Sequence, residues 1–188
     1  RRNNIKVNHT ATHLLHQSLK DVLGGHVNQA GSLVHPEYLR FDITHPNKIS
    51  LKQLEDIELI VNNKISEDIT VETNIKSLEE AKKEGATALF GEKYGDQVRV
   101  VTMGEYSKEL CGGTHVSSTG KIKKFKIKHD KAISSGIRRI NAITHNQVDL
   151  YLKEKSEELG LQKDAEKKKT EKKQSQSILL KSVNIDSI

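Results

Sequence analysis

The chain has 188 residues, room for one ordinary domain with an extension or for two small ones, and with three Phe, four Tyr and no Trp its core is modest and aliphatic. Its formal charge of +6 and pI near 9.2 favour an anionic partner, nucleic acid first. Apolar runs such as "LIV" and "ILL" are far too short to span a bilayer and no signal-peptide pattern opens the chain, which argues against a membrane protein and for a soluble, cytoplasmic one.

In chain order, Asn8 is a good N-cap for a helix over about 9–23, with Leu14, Leu15, Leu19, Val22 and Leu23 at helical spacing until Gly24 and Gly25. "HVNQAGSLV" and "YLRFDIT" read as a β-hairpin turned by "HPE", the second strand alternating Leu39, Phe41 and Ile43 against Arg40, Asp42 and Thr44. Ser50 with Gln53 forms a capping box for a helix reaching about residue 66. "TVETNIK" suits a strand, Ser77 with Glu80 caps a short helix ended by Gly85, and "QVRVVTMG" is strand-like. "ELCGGTHVSSTGK" is rich in Gly, Ser and Thr and reads as a loop with a tight turn, and "KFKIKHD" and "GIRRINAIT" are two further strands. Irregular alternation of this kind predicts an α+β fold, a mostly antiparallel sheet packed with helices.

Texture divides the chain into a domain over 1–145 and a helical extension over 146–188. "NQVDLYLKEKSEELGLQ" is helical, but residues 163–177, "KDAEKKKTEKKQSQS", carry one Ala and no larger apolar residue and cannot pack a core. They read as a solvated helix or linker, with a basic nucleic-acid arm as the alternative. Apolar residues return with Ile178, Leu179, Leu180, Val183 and Ile185, as if another helix began there. The opening "RRNNIKVNH" lacks an initiator Met and leads into a helix within eight residues, as expected for a piece of a longer chain.

Chemistry concentrates in two short segments. In "VNHTATHLLHQ", His9 and His13 stand four apart, so on a helix their imidazoles share one face, a spacing that suits metal capture and is equally compatible with two exposed or core-satisfied histidines. The single cysteine excludes an internal disulfide and leaves Cys111 as a buried thiol, a nucleophile or a metal ligand. It precedes His115 by four in "CGGTH", where two glycines permit a tight fold. Two histidines plus a cysteine and a histidine make the four N/S ligands that zinc prefers, about one ion per chain. His16 lies one turn further along the same face; the set being full, it reads as a partly buried polar neighbour.

Together "NHTATHLLH", "VNQAGSLV", "ATALFGEKYGDQVRVV", "ELCGGTHV" and "GIRRINAIT" resemble the editing domain of the alanyl-tRNA synthetases, from about residue 8 to 145. The threonyl family shares a two-histidine helix and a cysteine-histidine loop, but "CGGTHV" with "GIRRI" fits the alanyl family better. The stretch after 145 resembles the start of that enzyme's C-terminal connection. The resemblance implies hydrolysis of tRNA(Ala) mischarged with serine or glycine, because a pocket sized for alanine discriminates weakly against so small a difference. It implies zinc on His9, His13, Cys111 and His115, and functional roles for Gln29 and Thr12. A neutral amide at Gln29 suits positioning of a carbonyl or water, and a hydroxyl at Thr12 could meet the serine hydroxyl. Without those roles they are a strand-end amide bonding its own loop and a helix threonine bonding the carbonyl four back. The ATP- and alanine-binding core of the family has no counterpart here, so aminoacylation is not expected of this chain. Two other readings are a free-standing alanyl-tRNA editing protein and an inactive zinc-stapled tRNA-binding module.

For tRNA contact, "KFKIKHD" turns Phe125 and Ile127 one way and Lys124, Lys126 and Lys128 the other, a basic front suited to phosphates or to protecting a sheet edge. Arg138 and Arg139 of "GIRRI" point to opposite faces, so at most one readily joins that surface, and the glycine there is expected to keep the approach to the site open.

Overall fold

The computed structural model describes residues 1–88 and 94–163 of the chain. It is an α+β protein whose strands pair antiparallel throughout two sheets. By contact the chain divides into two compact units, Arg1–Val148 and Asp149–Ile188.

Helix α1 spans Arg2–Leu23, beginning about two turns before its expected start at residue 9. Val7, Ala11, Leu14, Leu15 and Leu19 recur at helical spacing and are all buried, so tertiary burial extends the helix upstream. Asn8 is consequently not an N-cap. It is buried inside α1, its Nδ2 donating to the His35 carbonyl at 2.6 Å and its Oδ1 accepting from Thr144 Oγ1 at 2.5 Å. An amide with two long-range partners has no call to satisfy helix-end donors.

Strands β1 (Gln29–Val34) and β2 (Leu39–Thr44) form the expected hairpin, closed by the His35 amide on the Tyr38 carbonyl. The alternation in β2 is broken at Asp42, buried because its carboxylate takes a guanidinium from across the sheet. Helix α2 (Leu51–Ser66) carries the full Ser50/Gln53 capping box, and helix α3 (Leu78–Lys83) the Ser77/Glu80 one. α2 buries Ile57, Val61 and Ile65, whereas Leu51 and Leu59 face solvent.

Strands β3 (Val71–Ser77), β4 (Gln97–Met103) and β5 (Ser107–Leu110) make a three-stranded sheet in that order. β5 corrects the sequence reading, which gave Glu109 and Leu110 to a loop: after a turn at Gly104, four residues pair with β4 before the Gly-rich segment begins. Strands β6 (Phe125–Ser134) and β7 (Ile137–Thr144) complete the four-stranded sheet β1-β2-β7-β6. Their turn uses Gly136 at φ 71°, so the glycine serves backbone conformation.

One core joins these parts. α1 packs with Leu39, Phe41, Ile43, Ile140 and Ala142 of the larger sheet, with the buried face of α2, and with Val101 and Met103 of the smaller sheet. Residues 146–163 are helical. The central "LFGEK" of the "ATALFGEKYGDQVRVV" motif, and the lysine-rich and apolar segments after residue 163, lie outside the described residues. Among the described residues no helix is long and apolar enough to cross a membrane.

Candidate metal centre

α1 and the loop after β5 bring together four side chains from opposite ends of the domain. One ligand atom each from His9, His13, Cys111 and His115 lies within 4.8 Å of the others, an arrangement that could hold a metal ion. Cys111 Sγ is 3.4 Å from His9 Nε2 and 3.4 Å from His115 Nε2. The His9 ring centroid lies 5.2 Å from that of His13 and 4.3 Å from that of His115. The two glycines of the loop do unequal work. A Cβ on Gly113 would stand 2.0 Å from His9 Cε1, whereas one on Gly112 would meet nothing within 4 Å. Neither has a positive φ, so what the loop needs from Gly113 is room for the imidazole.

Three further groups orient the ligands. Glu109, buried at the end of β5, sets one carboxylate oxygen 2.6 Å from His13 Nδ1 and the other 2.9 Å from His16 Nδ1. With Nδ1 so engaged, His13 turns Nε2 toward the cluster. Thr10 donates its hydroxyl proton to the Lys6 carbonyl at 2.9 Å, so in its 3.2 Å contact with His115 Nδ1 the imidazole is the donor. His115 Nε2, on the other side of the ring, lies 3.4 Å from Cys111 Sγ. The Gly113 amide donates to Cys111 Sγ at 3.4 Å.

The electrostatics follow from these contacts. Burial alone would push the Cys111 thiol up, but hydrogen bonds from His115, His13 and His9 outweigh it and bring it down to about 3. Burial works against a charged His13, yet the facing Glu109 carboxylate and Cys111 raise it to about 10. Glu109, despite its burial, is held well below the usual carboxylate range by His13 and His16. His115 is lowered by burial and by the neighbouring His13 and His9. Without metal the site therefore carries a thiolate and a carboxylate around one imidazolium, and a divalent cation that displaces the His13 proton meets two negative charges.

The other nominated residues are distributed as follows. His16 faces Glu109 and the Phe41 ring, 5.2 Å away, rather than the ligand cluster. Thr12 is buried and donates to the Asn8 carbonyl at 2.8 Å. Gln29 opens β1 at a register shift, half-buried, and its side chain makes no hydrogen bond among the described residues. Lys124 and Lys128 are exposed, while Lys126 is bound to Glu58 at 2.8 Å. Arg138 pairs with Asp130 on β6, and Arg139 makes two 2.7 Å hydrogen bonds to Asp42, directly opposite on β2. Glu109 and Thr10 went unnoticed in the sequence. Their signal was proximity alone, a carboxylate two residues before the cysteine and a hydroxyl beside His9.

A family profile described as "Threonyl and Alanyl tRNA synthetase second additional domain" matches residues 98–141. The alanine–tRNA ligase of Clostridioides difficile is 58% identical over 148 residues, 79% of this chain and 17% of its own length. That of Oceanobacillus iheyensis is 55% identical over 173 residues, 92% of this chain and 20% of its own, and that of Bacillus anthracis 56% over 164 residues, 87% and 18%. The chain thus spans about a fifth of the length of these relatives.

Proposed function

The chain belongs to the alanyl-tRNA synthetase family, in the region of its editing domain, and from that premise we propose that it hydrolyses the ester of serine or glycine wrongly attached to tRNA(Ala), with one zinc ion on His9, His13, Cys111 and His115. The observation that carries this reading is the convergence of three imidazoles and a thiolate from segments about a hundred residues apart. The donor set fits zinc: tetrahedral Zn–N and Zn–S bonds of about 2.0–2.3 Å put ligand atoms roughly 3.5 Å apart, and both Cys111 separations are 3.4 Å. Glu109 and Thr10 give the rings the outer partners that metal-bound histidines customarily have.

When bound, the ion supplies a fixed positive centre that shapes the pocket and holds the substrate's amino group. Glu109 is occupied by two imidazoles and does not serve as a general base. Water and ester are oriented by neutral groups, the unpaired Gln29 amide first, together with the terminal hydroxyl of the tRNA. Thr12 contributes its oxygen lone pairs, its proton being committed to Asn8. Attachment of alanine with ATP belongs to the relatives as whole proteins.

The full chain, loaded with zinc, should deacylate Ser-tRNA(Ala) and leave Ala-tRNA(Ala) intact. Gln29→His should slow that reaction by about a hundredfold at unchanged zinc content, the cost of losing one positioned hydrogen-bonding group. One observation favours a second reading: four protein ligands are the mark of a closed structural site. A zinc-stapled tRNA-binding module would bind tRNA(Ala) and hydrolyse neither ester.

A further inference from the structure

Beside the metal centre lies an open cleft of about 330 Å³, of which His115 forms one wall. Its other walls come from four separate elements. α1 contributes Asn3 and Lys6, β3 and β4 contribute Thr73 and Arg99, and the short 3₁₀ turn at Thr119–Ile122 contributes Lys121. The register puts the β-strand residues on one face, since Thr73 pairs with Val101 and Arg99 with Ile75. On α1, residues 3, 6, 10 and 13 follow one another at helical spacing, so one stripe runs from the cleft past Thr10 to His13.

Among the described residues no carboxylate lines this cleft. Lys6 has no ion-pair partner among the described residues, Arg99 donates to the Gly112 carbonyl at 3.1 Å, and Lys121 donates to Ser117 Oγ at 2.6 Å. Among the described residues no acid pairs with any of the three, unlike Lys126, Arg138 and Arg139, each held by one. Three cations from three elements around one concavity attract an anion with several acceptor oxygens. The volume is at the lower end of small-ligand pockets, about 300–1,000 Å³, which suits one nucleotide unit rather than a protein surface. A strand whose 3′ end reaches the metal centre has its preceding phosphate one nucleotide away, at the distance of a neighbouring pocket.

Resting on the reading above, we propose that this cleft seats the phosphodiester preceding the terminal nucleotide of the aminoacylated strand, with Lys6, Arg99 and Lys121 as its phosphate contacts. The subsite grips the strand independently of the bond to be broken.

The test uses the zinc-loaded full chain, Lys6→Gln alone and Lys6→Gln with Lys121→Gln. The probes are an acceptor-stem RNA hairpin with its single-stranded 3′ end, the same hairpin made blunt, and a seryl ester of adenosine without phosphate. The double variant should bind the overhanging hairpin about tenfold more weakly, with a salt slope flatter by about 0.7, the whole contribution of one phosphate on a single strand. Lys6→Gln alone should give half that change in slope. Zinc content, binding of the blunt hairpin and hydrolysis of the seryl adenosine should stay as in the parent protein. An unchanged slope in the double variant, or equal weakening on the blunt hairpin, overturns the subsite while leaving hydrolysis standing. Slope-dependent binding by a protein that cleaves no seryl ester upholds the subsite and removes the hydrolytic reading.

Discussion

The protein holds two groups of closely packed histidines, and the difference between them lies in the anions around them. His26 Nε2 is 2.8 Å from His45 Nδ1, the rings stacked with centroids 5.1 Å apart. Burial, His26 and Arg138 all push the His45 pKa down, while Asp130, the acid that would oppose them, is committed to Arg138. The two rings share one hydrogen bond, and the charged form of His45 is disfavoured. His9, His13 and His115 pack at similar ring distances, but a thiolate stands among them and a buried carboxylate behind one of them. Counting histidines does not separate the two groups; counting the negative charges they face does.

The sharpest way to break this comparison is to remove the thiolate. Cys111→Ala should lose zinc altogether, and with it the stability that binding confers, about 4 kcal/mol at free zinc a thousandfold above the dissociation constant. His26→Phe should leave zinc content unchanged. Elemental analysis and unfolding midpoints on both variants decide it; equal zinc loss from the two would void the distinction.

Next in size is the loop. Gly113→Ala drives a methyl into the His9 ring and should cost about 1–3 kcal/mol in the zinc-bound protein, whereas Gly112→Ala, open on all sides, should stay within about 0.5 kcal/mol. Denaturant titration of the two side by side measures the contrast. Glu109→Gln keeps the shape but removes the charge behind His13, and zinc affinity should fall by about ten- to a hundredfold in competition with a chelator.

A further contrast is the pH profile of the metal-free protein. A Cys111 pKa falling from 9.0 to about 3 on folding means the unfolded chain binds the extra proton between those values, so this group makes stability rise with pH there. A His13 pKa rising from 6.5 to about 10 does the reverse: its contribution is complete below 6.5 and is lost as pH climbs through about 10. The slopes cancel between about 6.5 and 9, and Glu109, held low, adds a further fall on the acid side below its ordinary value of 4.5. Unfolding free energy should climb from acid pH to a plateau near neutrality and decline above about 9. His13→Gln should turn the plateau into a continued rise, read from denaturant melts at several pH values.

Much of this was legible where the determinants are local. Both capping boxes and the β1–β2 turn are written within four residues, and each forms as read. The histidine spacing and the cysteine-histidine pair likewise needed only helix geometry and ligand chemistry. What escaped depends on partners far away in sequence. Asn8 is a good cap by type and instead bridges residues 35 and 144. Asp42 was a solvent-facing alternate until Arg139 arrived opposite it. Glu109 could not be seen as the support for His13 while its strand was taken for loop. The basic residues of β6 and β7 are conspicuous in sequence, but the acids that neutralise Arg138 and Arg139 come from facing strands.

The ligands divide into two pairs, four residues apart within each pair and 102 residues apart between His9 and Cys111. During synthesis the helix bearing the first pair emerges long before the loop bearing the second, and neither pair alone offers more than half a coordination shell. The entropy of closing so long a loop, which grows by only about 0.6 kcal/mol per doubling of its length, is met by the folding of two sheets and three helices around it. With zinc on these four side chains as proposed, capture of the ion would be among the last events of folding, and bound zinc would report whether a given molecule is whole.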